Sequence, residues 1–141
     1  MASIKMWKDF IMKKALLLKS IFICLISYSS AFAGNISIAD STAPTEKALL
    51  QTVVVFMSSR QSLPISLKFE TFDGTATAGQ DYEAVSGSLI FEVGETVKAI
   101  QIPILDDRKA EDKETIIVKI SDASTGNITD DEAIVFITDD D

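Results

Sequence analysis

The chain has 141 residues, of which 24% are charged and 47% hydrophobic, and it carries a formal net charge of −8 with one cysteine and no histidine. An acidic surface of this kind repels the phosphates of nucleic acids and anionic membranes, which argues against nucleic acid as a partner. Zinc, copper and iron sites depend on histidine or cysteine ligands, so the composition argues against these metals as well.

The first 33 residues are typical of a secretory signal peptide, which would precede the folded domain as a helix. A basic start at 12–14 leads into an apolar stretch that Lys19 interrupts, and Ala31 and Ala33 form an A-x-A cleavage site. A membrane-spanning helix needs about 20 uninterrupted apolar residues, so an uncleaved N-terminal anchor is the less favoured alternative. The pattern predicts a signal peptide at 1–33 with cleavage after Ala33.

The predicted export product is residues 34–141, and Met12 is an alternative initiator for its precursor. The only cysteine, Cys24, lies in the predicted signal peptide, so the product would have neither thiols nor disulfides. It contains 20 acidic and 8 basic residues, a net charge of −12. We expect one domain that is periplasmic, secreted or displayed at the cell surface, and an ion is the obvious candidate to replace disulfides in it.

Seven short apolar segments of the predicted domain have the alternation or the β-branched composition of strands. They are NISIA, TVVVFMS, PISLKFET, GSLIFE, KAIQIPI, TIIVKIS and AIVFIT. Turn-forming residues separate them, and only 46–51 suggests a brief helical turn. This spacing predicts an all-β fold, a seven-stranded antiparallel immunoglobulin-like β-sandwich.

The predicted strand order places most of the clustered acidic residues at one end of the sandwich. Successive antiparallel strands run in opposite directions, so the first, third, fifth and seventh end at the same pole, which we call the acidic pole. The connections there carry Glu46; Asp73 and Asp81; Asp106, Asp107, Glu111, Asp112 and Glu114; and Asp139, Asp140 and Asp141. Two like charges 4 Å apart repel by about 4 kcal/mol at an effective dielectric of about 20, so this cluster opposes folding unless its carboxylates stay apart, become protonated or bind a counter-ion.

Calcium is the ion that such a cluster suits best. Ca²⁺ accepts 6 to 8 oxygen ligands at irregular angles, so carboxylates and carbonyls on loops can surround it. Mg²⁺ remains an alternative, although it keeps more of its water and uses fewer carboxylates. Glu111 and Glu114 are three residues apart, a spacing that a single helical turn places on one side. Convergence of Asp139, Asp140 and Asp141 requires an irregular strand end or more than one ion.

The motif DGTATAGQDY, followed by the block GSLIFEVGET, the segment ILDD and the terminal DDD, resembles the Calx-beta domain family. This family is the calcium-binding β-sandwich of sodium/calcium exchangers, integrin β4 and bacterial surface proteins. The resemblance covers nearly all of 35–141. It implies several Ca²⁺ ions at one pole, with the following ligands: Glu46, Asp81, Asp106, Asp107, Glu111, Glu114, Asp139, Asp140 and Asp141.

Some nearby residues are expected to have other roles. Asp73 more plausibly caps its turn than binds metal, and Tyr82 is expected to close the edge of the sandwich. Lys47 replaces a glycine usual in the family, and three cations, Arg108, Lys109 and Lys113, lie within the acidic loop, where they can pair with its carboxylates.

We therefore predict an exported calcium-binding Calx-beta module, membrane-associated, that serves cell-surface interaction or communication. The alternative is a β-sandwich spacer or adhesion module that does not bind calcium. An enzyme with a small-molecule substrate is not expected, because the predicted domain has no His or Trp and Tyr82 is its only Tyr. A protein partner or self-association through exposed strand edges remains open.

Overall fold

The computed structural model of the protein describes residues 34–42, 45–106 and 109–138. The predicted signal peptide at 1–33 and the terminal triplet 139–141 lie outside these residues, as does Asp107. No helix within the described ranges has the length and apolarity needed to cross a membrane.

The described residues form nine β-strands and one short 3-10 helix at Glu46–Ala48. The strands are β1 (Asn35–Ile38), β2 (Ser41–Thr42), β3 (Leu50–Met57), β4 (Ile65–Asp73), β5 (Ser86–Phe91), β6 (Val97–Pro103), β7 (Glu114–Ser121), β8 (Asn127–Asp130) and β9 (Glu132–Ile137). The seven segments expected from the sequence correspond to β1, β3, β4, β5, β6, β7 and β9. The 3-10 helix lies where the sequence suggested a brief helical turn.

The strands form two sheets that pack as a β-sandwich, which confirms the all-β architecture. One sheet has the order β6-β3-β1-β8 and the other has the order β2-β9-β7-β4-β5. The expected count of seven antiparallel strands is wrong, because β2 and β8 are additional strands that pair in parallel with β9 and β1. Both are short, and β8 has a single apolar residue, Ile128, while β2 has none, so neither shows the apolar alternation from which strands are predicted from sequence.

Alternation along the strands produces the core between the two sheets. In β3 the residues Gln51, Val53, Val55 and Met57 are buried while their neighbours are partly or fully exposed. The buried apolar set also includes Ile36, Leu67, Ile102, Ile116, Val118, Val135 and Ile137. Each such side chain contributes about 1.5 to 3 kcal/mol relative to an exposed position, so this core supplies the main stabilisation of a domain whose sequence from 34 onwards has no cysteine.

Candidate metal centre

The loop between β4 and β5 is fixed against the start of β7 by a reciprocal pair of threonine contacts. The backbone N–H of Thr75 donates to Thr115 Oγ1 at 3.1 Å, and the N–H of Thr115 donates to Thr75 Oγ1 at 2.9 Å. Gly74 permits this close approach, because a Cβ at that position would lie 2.4 Å from the carbonyl oxygen of Thr115. The loop is therefore held directly beside Glu114, the first residue of β7.

Asp73 and Tyr82 close the base of this loop. The Tyr82 hydroxyl donates to Asp73 Oδ1 at 2.7 Å, and the N–H of Ala78 donates to the same oxygen at 2.9 Å. The Tyr82 side chain is fully buried. The bond from Tyr82 lowers the pKa of Asp73, while burial and the neighbouring carboxylate raise the pKa of Tyr82 to about 12. The expected capping role of Asp73 is confirmed.

Asp81 is positioned by its own backbone and by its carboxylate. Its carbonyl oxygen accepts a bond from the N–H of Leu105 at 3.0 Å, so Asp81 lies beside the end of β6 and the residue before Asp106. Asp81 Oδ2 accepts a bond from the N–H of Thr77 at 2.7 Å. This bond orients the carboxylate within the loop. Asp81 Oδ1 is not bonded to Thr77 and can contribute a ligand.

Asp81, Glu111 and Glu114 form the cluster of carboxylates at the acidic pole. One oxygen from each lies within 4.8 Å of the other two, and all three residues are partly buried. Of the nine predicted ligands, these three are the ones that the described ranges bring together. We call this set the carboxylate triad. Its separations are suited to oxygen atoms that surround one divalent ion.

Glu114 combines burial with crowding by like charge. Its Oε2 atom is buried and accepts no hydrogen bond from the described residues. Burial of the carboxyl group raises its pKa above the usual 4.5, the negative charges of Asp81 and Glu111 and a side-chain hydrogen bond with Asp81 raise it further, and Lys109 partly opposes them. A buried acceptor without a partner, surrounded by like charge, is a costly arrangement that a cation would relieve.

The lysines of the acidic loop have different roles. Lys109 forms an ion pair with Glu111 Oε1, so the expected pairing between cations and carboxylates occurs at this residue. Lys113 lies 4.4 Å above the ring centroid of Phe136 and makes a cation–π contact there. Pairing of Lys113 with the acidic side chains stays a prediction, because part of the acidic pole lies outside the described residues. Arg108 lies outside the described residues.

Glu46 lies at the same pole on the 3-10 helix and is 6% exposed. Its N–H donates to the carbonyl oxygen of Thr138 at 3.2 Å, immediately before the terminal aspartates. Leu49 has φ 53° and its carbonyl oxygen accepts a bond from the N–H of Ile104 at 3.1 Å. The 3-10 helix thus connects the ends of β6 and β9, although Lys47 stands where a glycine is usual in the family.

The remaining predicted ligands are not part of the triad. Asp106 is exposed, and its carboxylate is not grouped with the three. Asp107 and the triplet Asp139, Asp140 and Asp141 lie outside the described residues. The expected convergence of distant connections is confirmed for the described parts, since backbone bonds join the 3-10 helix to Thr138 and Ile104, and join Asp81 to Leu105. The ligand role of all nine residues stays a prediction.

Sequence reasoning missed the residues that position the triad, above all Gly74, Thr75 and Thr115. The two threonines are 40 residues apart, and each is an ordinary residue for its loop or strand. No local pattern indicates their contact. Gly74, the first glycine of DGTATAG, is visible in the sequence. Only the structure shows that it permits close contact with a neighbouring strand of the same sheet.

Comparison with known families decides what kind of domain carries this site. The profile of the Calx-beta domain matches residues 36–141, which is most of the chain and includes the triad. The chain belongs to the Calx-beta domain family. The resemblance inferred from the motifs is thus confirmed.

Relatives and solved structures agree with this assignment. The Calx-beta chain is 37% identical over 71 residues to sodium/calcium exchanger 1 of Canis lupus familiaris, and 41% identical over 59 residues to sodium/calcium exchanger 2 of Homo sapiens. These matches cover 50% and 42% of this chain but only 7% and 6% of the exchangers. The similarity is therefore to a small part of much longer proteins.

Two solved structures share the sandwich. The apo-form Calx CBD1 domain has a TM-score of 0.69 and 28% identity, and the match covers 77% of this chain and 99% of that one. The calcium binding domain CBD12 of CALX1.1 has a TM-score of 0.68 and 26% identity, with 75% of this chain and 46% of that one covered.

Proposed function

We propose that this Calx-beta domain binds Ca²⁺ through the carboxylate triad and uses the ion to stabilise the acidic pole. The observation that carries the proposal is the approach of three carboxylates to within 4.8 Å while one oxygen of Glu114 is buried without a partner. One ion among them would supply that partner and cancel the mutual repulsion of Asp81, Glu111 and Glu114. A solved relative described as a calcium binding domain supports the same ion.

Calcium suits the triad better than other metals because every side chain in it offers oxygen. Three carboxylates supply three to six oxygen atoms, depending on whether each binds through one oxygen or two, whereas Ca²⁺ takes 6 to 8. Water, backbone carbonyls and further carboxylates would complete the shell. Glu46, Asp106, Asp107 and the triplet 139–141 remain the proposed further ligands, and they would allow more than one ion.

We also propose that the domain works outside the cytoplasm as a membrane-associated or secreted module in cell-surface interaction or communication. The signal-like segment at 1–33 supports export, and millimolar calcium in extracellular settings suits a site of modest affinity, about 10⁻⁴ to 10⁻³ M. The role proposed is binding rather than catalysis, because two loop carboxylates and Glu114 at the start of β7 converge on one point where they can hold a cation.

The alternative function is a structural or adhesion module that does not require calcium. One observation favours it: Lys109 already pairs with Glu111 and supplies part of the positive charge that an ion would bring. The two functions differ in their response to calcium, since only a binder gains stability from the ion.

A titration of the protein with calcium tests the proposal. Isothermal titration calorimetry and thermal melting would be performed in 0 to about 10 mM Ca²⁺, with Mg²⁺ as the parallel series. At 10 to 100 times the dissociation constant, binding to the native state adds about 1.4 to 2.7 kcal/mol, which raises the Tm by about 5 to 15 °C. A Tm that is the same with and without calcium, and no heat of binding, would leave the structural module as the function.

A further inference from the structure

The edges of the two sheets differ in how well they are protected against pairing with another chain. Within the described residues the edge strands are β2, β5, β6 and β8. β2 has two residues, and β8 has four residues and an irregular register against β1. β6 carries Lys98 on its inward side, paired with Glu95, and ends at Pro103. Short strands, irregular register, inward charge and proline all hinder edge-to-edge association.

β5 has none of these protective features. Its six residues, SGSLIF, include no charged residue and no proline, and β4 is its partner on one side only among the described strands. Ile90 is 50% exposed at this edge. A neutral, regular edge strand of this length is a template for another strand.

The register shows which backbone groups of β5 face outward. Thr71 donates its N–H to the carbonyl oxygen of Val85 at 3.0 Å, and the register continues from there through the β4–β5 pairs. Hydrogen-bonded and non-bonded pairs alternate in an antiparallel ladder. Consequently Gly87, Leu89 and Phe91 bond to β4. The backbone groups of Ser86, Ser88 and Ile90 point to the open edge.

We propose that two copies of this chain associate through β5, as an antiparallel pair with a two-fold axis at Ser88. In this register the outward-pointing groups of Ser88 bond to those of Ser88 in the second copy, and those of Ser86 bond to those of Ile90. Side-chain sizes also match: Ile90 lies opposite Ser86, and Leu89 lies opposite Gly87. An open cavity of about 310 Å³, lined by Ser86, Gly87 and Ser88 of β5 and by Lys68 and Glu70 of β4, receives Ile90 of the second copy.

The charge distribution favours this arrangement over other contacts between copies. The sequence from 34 onwards carries a net charge of −12, and three of its carboxylates meet in the triad at the acidic pole. β5 begins near that pole, because Val85 bonds to Thr71 at the end of β4. An antiparallel pair about Ser88 therefore places the two acidic poles at opposite ends of strands about 20 Å long, beyond the screening length of about 8 Å at physiological salt.

Sedimentation of the full chain over a range of concentrations tests the proposal. Ser88→Pro removes an N–H that faces the open edge and bonds to no strand of its own copy. Its matched control is Ala99→Pro at the edge of β6, where Met57 bonds to Thr96 and the alternation again turns the N–H of Ala99 outward. We expect a concentration-dependent dimer for the wild type and the control, and a dissociation constant at least about tenfold higher for Ser88→Pro.

A charge on the two-fold axis provides a second variant that does not alter the backbone. Ser88→Lys places two like charges opposite each other in the dimer, whereas Thr52→Lys adds the same charge to the exposed face of the other sheet. We expect the first to be monomeric at concentrations where the second is dimeric. A wild type that remains monomeric up to about 1 mM, or Ser88 variants that associate like their controls, would overturn the proposal.

Cross-linking tests the register itself. With Cys24→Ser in the background, Ser88→Cys should form a disulfide-linked dimer under mild oxidation, since the two residues face each other across the axis. Ile90→Cys should not, because the two copies of Ile90 are separated along the paired strands. Efficient cross-linking through Ile90 but not through Ser88 would refute the two-fold axis at Ser88.

Discussion

Replacement of Glu114 by glutamine should have opposite effects with and without calcium. The Glu114 carboxyl is crowded by the negative charges of Asp81 and Glu111, and its Oε2 is buried without a partner. The amide of Glu114→Gln keeps the shape of the side chain, removes its charge and can donate to Asp81. We therefore expect the variant to be more stable than the wild type in the absence of calcium and to respond poorly to the ion.

The magnitude follows from the geometry. Two like charges at 4.8 Å, the upper limit of the separations in the triad, interact by about 3.5 kcal/mol at an effective dielectric of about 20. The pair is only partly buried and Lys109 offsets some of the repulsion, so solvent screening reduces the net effect to about 1 kcal/mol. For a domain of this size that raises the Tm of the calcium-free protein by about 4 to 8 °C.

The pH dependence of stability provides an independent test of the same reasoning. Because the folded-state pKa of Glu114 is raised, its ionisation destabilises the native state, and the calcium-free wild type loses stability as the pH rises from the usual value of 4.5 through the folded-state pKa. Glu114→Gln removes this loss. Melting curves from pH 4 to 8 in chelator and in about 10 mM Ca²⁺ would measure both effects.

A matched control is Glu95→Gln at the opposite pole, where the carboxylate is paired with Lys98. This variant should leave the calcium response unchanged. The reasoning would be refuted if Glu114→Gln lowered the stability of the calcium-free protein, or if its Tm rose with calcium as much as that of the wild type.

Three further substitutions probe the surroundings of the triad. Lys109→Gln removes the cation paired with Glu111, so it should lower the Tm in chelator and tighten calcium binding by about two- to fivefold, measured by calorimetry; equal or weaker binding would contradict the competition between lysine and ion. Gly74→Ala places a Cβ 2.4 Å from the backbone carbonyl of Thr115, so denaturant unfolding should show a loss of about 1 to 3 kcal/mol, and an unchanged midpoint would mean that the loop moves freely. Tyr82→Phe removes the hydroxyl donor that lowers the pKa of Asp73, and the stability that ionised Asp73 contributes above its usual pKa is lost as the pH falls through the lowered folded-state value. The variant should therefore melt a few degrees lower than the wild type at pH 7 and lose less stability on acidification. A melting profile parallel to that of the wild type would contradict this role.

Much of the fold could be predicted because β-strands have a recognisable local sequence pattern. Alternation in segments such as KAIQIPI follows from the opposite facing of successive side chains, and it located β6 and the other long strands. The parity of antiparallel strands then indicated that distant acidic connections share one pole. β2 and β8 escaped prediction, since a strand of two polar residues and a strand of four residues with one apolar side chain contain no period to recognise.

The sequence by itself determined the all-β class and the family motifs, and it predicted that distant acidic connections share one end of the sandwich. Only the tertiary structure decided which carboxylates meet. Asp81 and Glu114 are brought together because Thr75 and Thr115 bond across 40 residues and Gly74 lets them approach. The tertiary structure also decided that Lys109 forms an ion pair with Glu111 of the triad, whereas Lys113 contacts the ring of Phe136. Such choices depend on distances of a few ångströms between segments far apart in the chain, and no local pattern of residues records those distances.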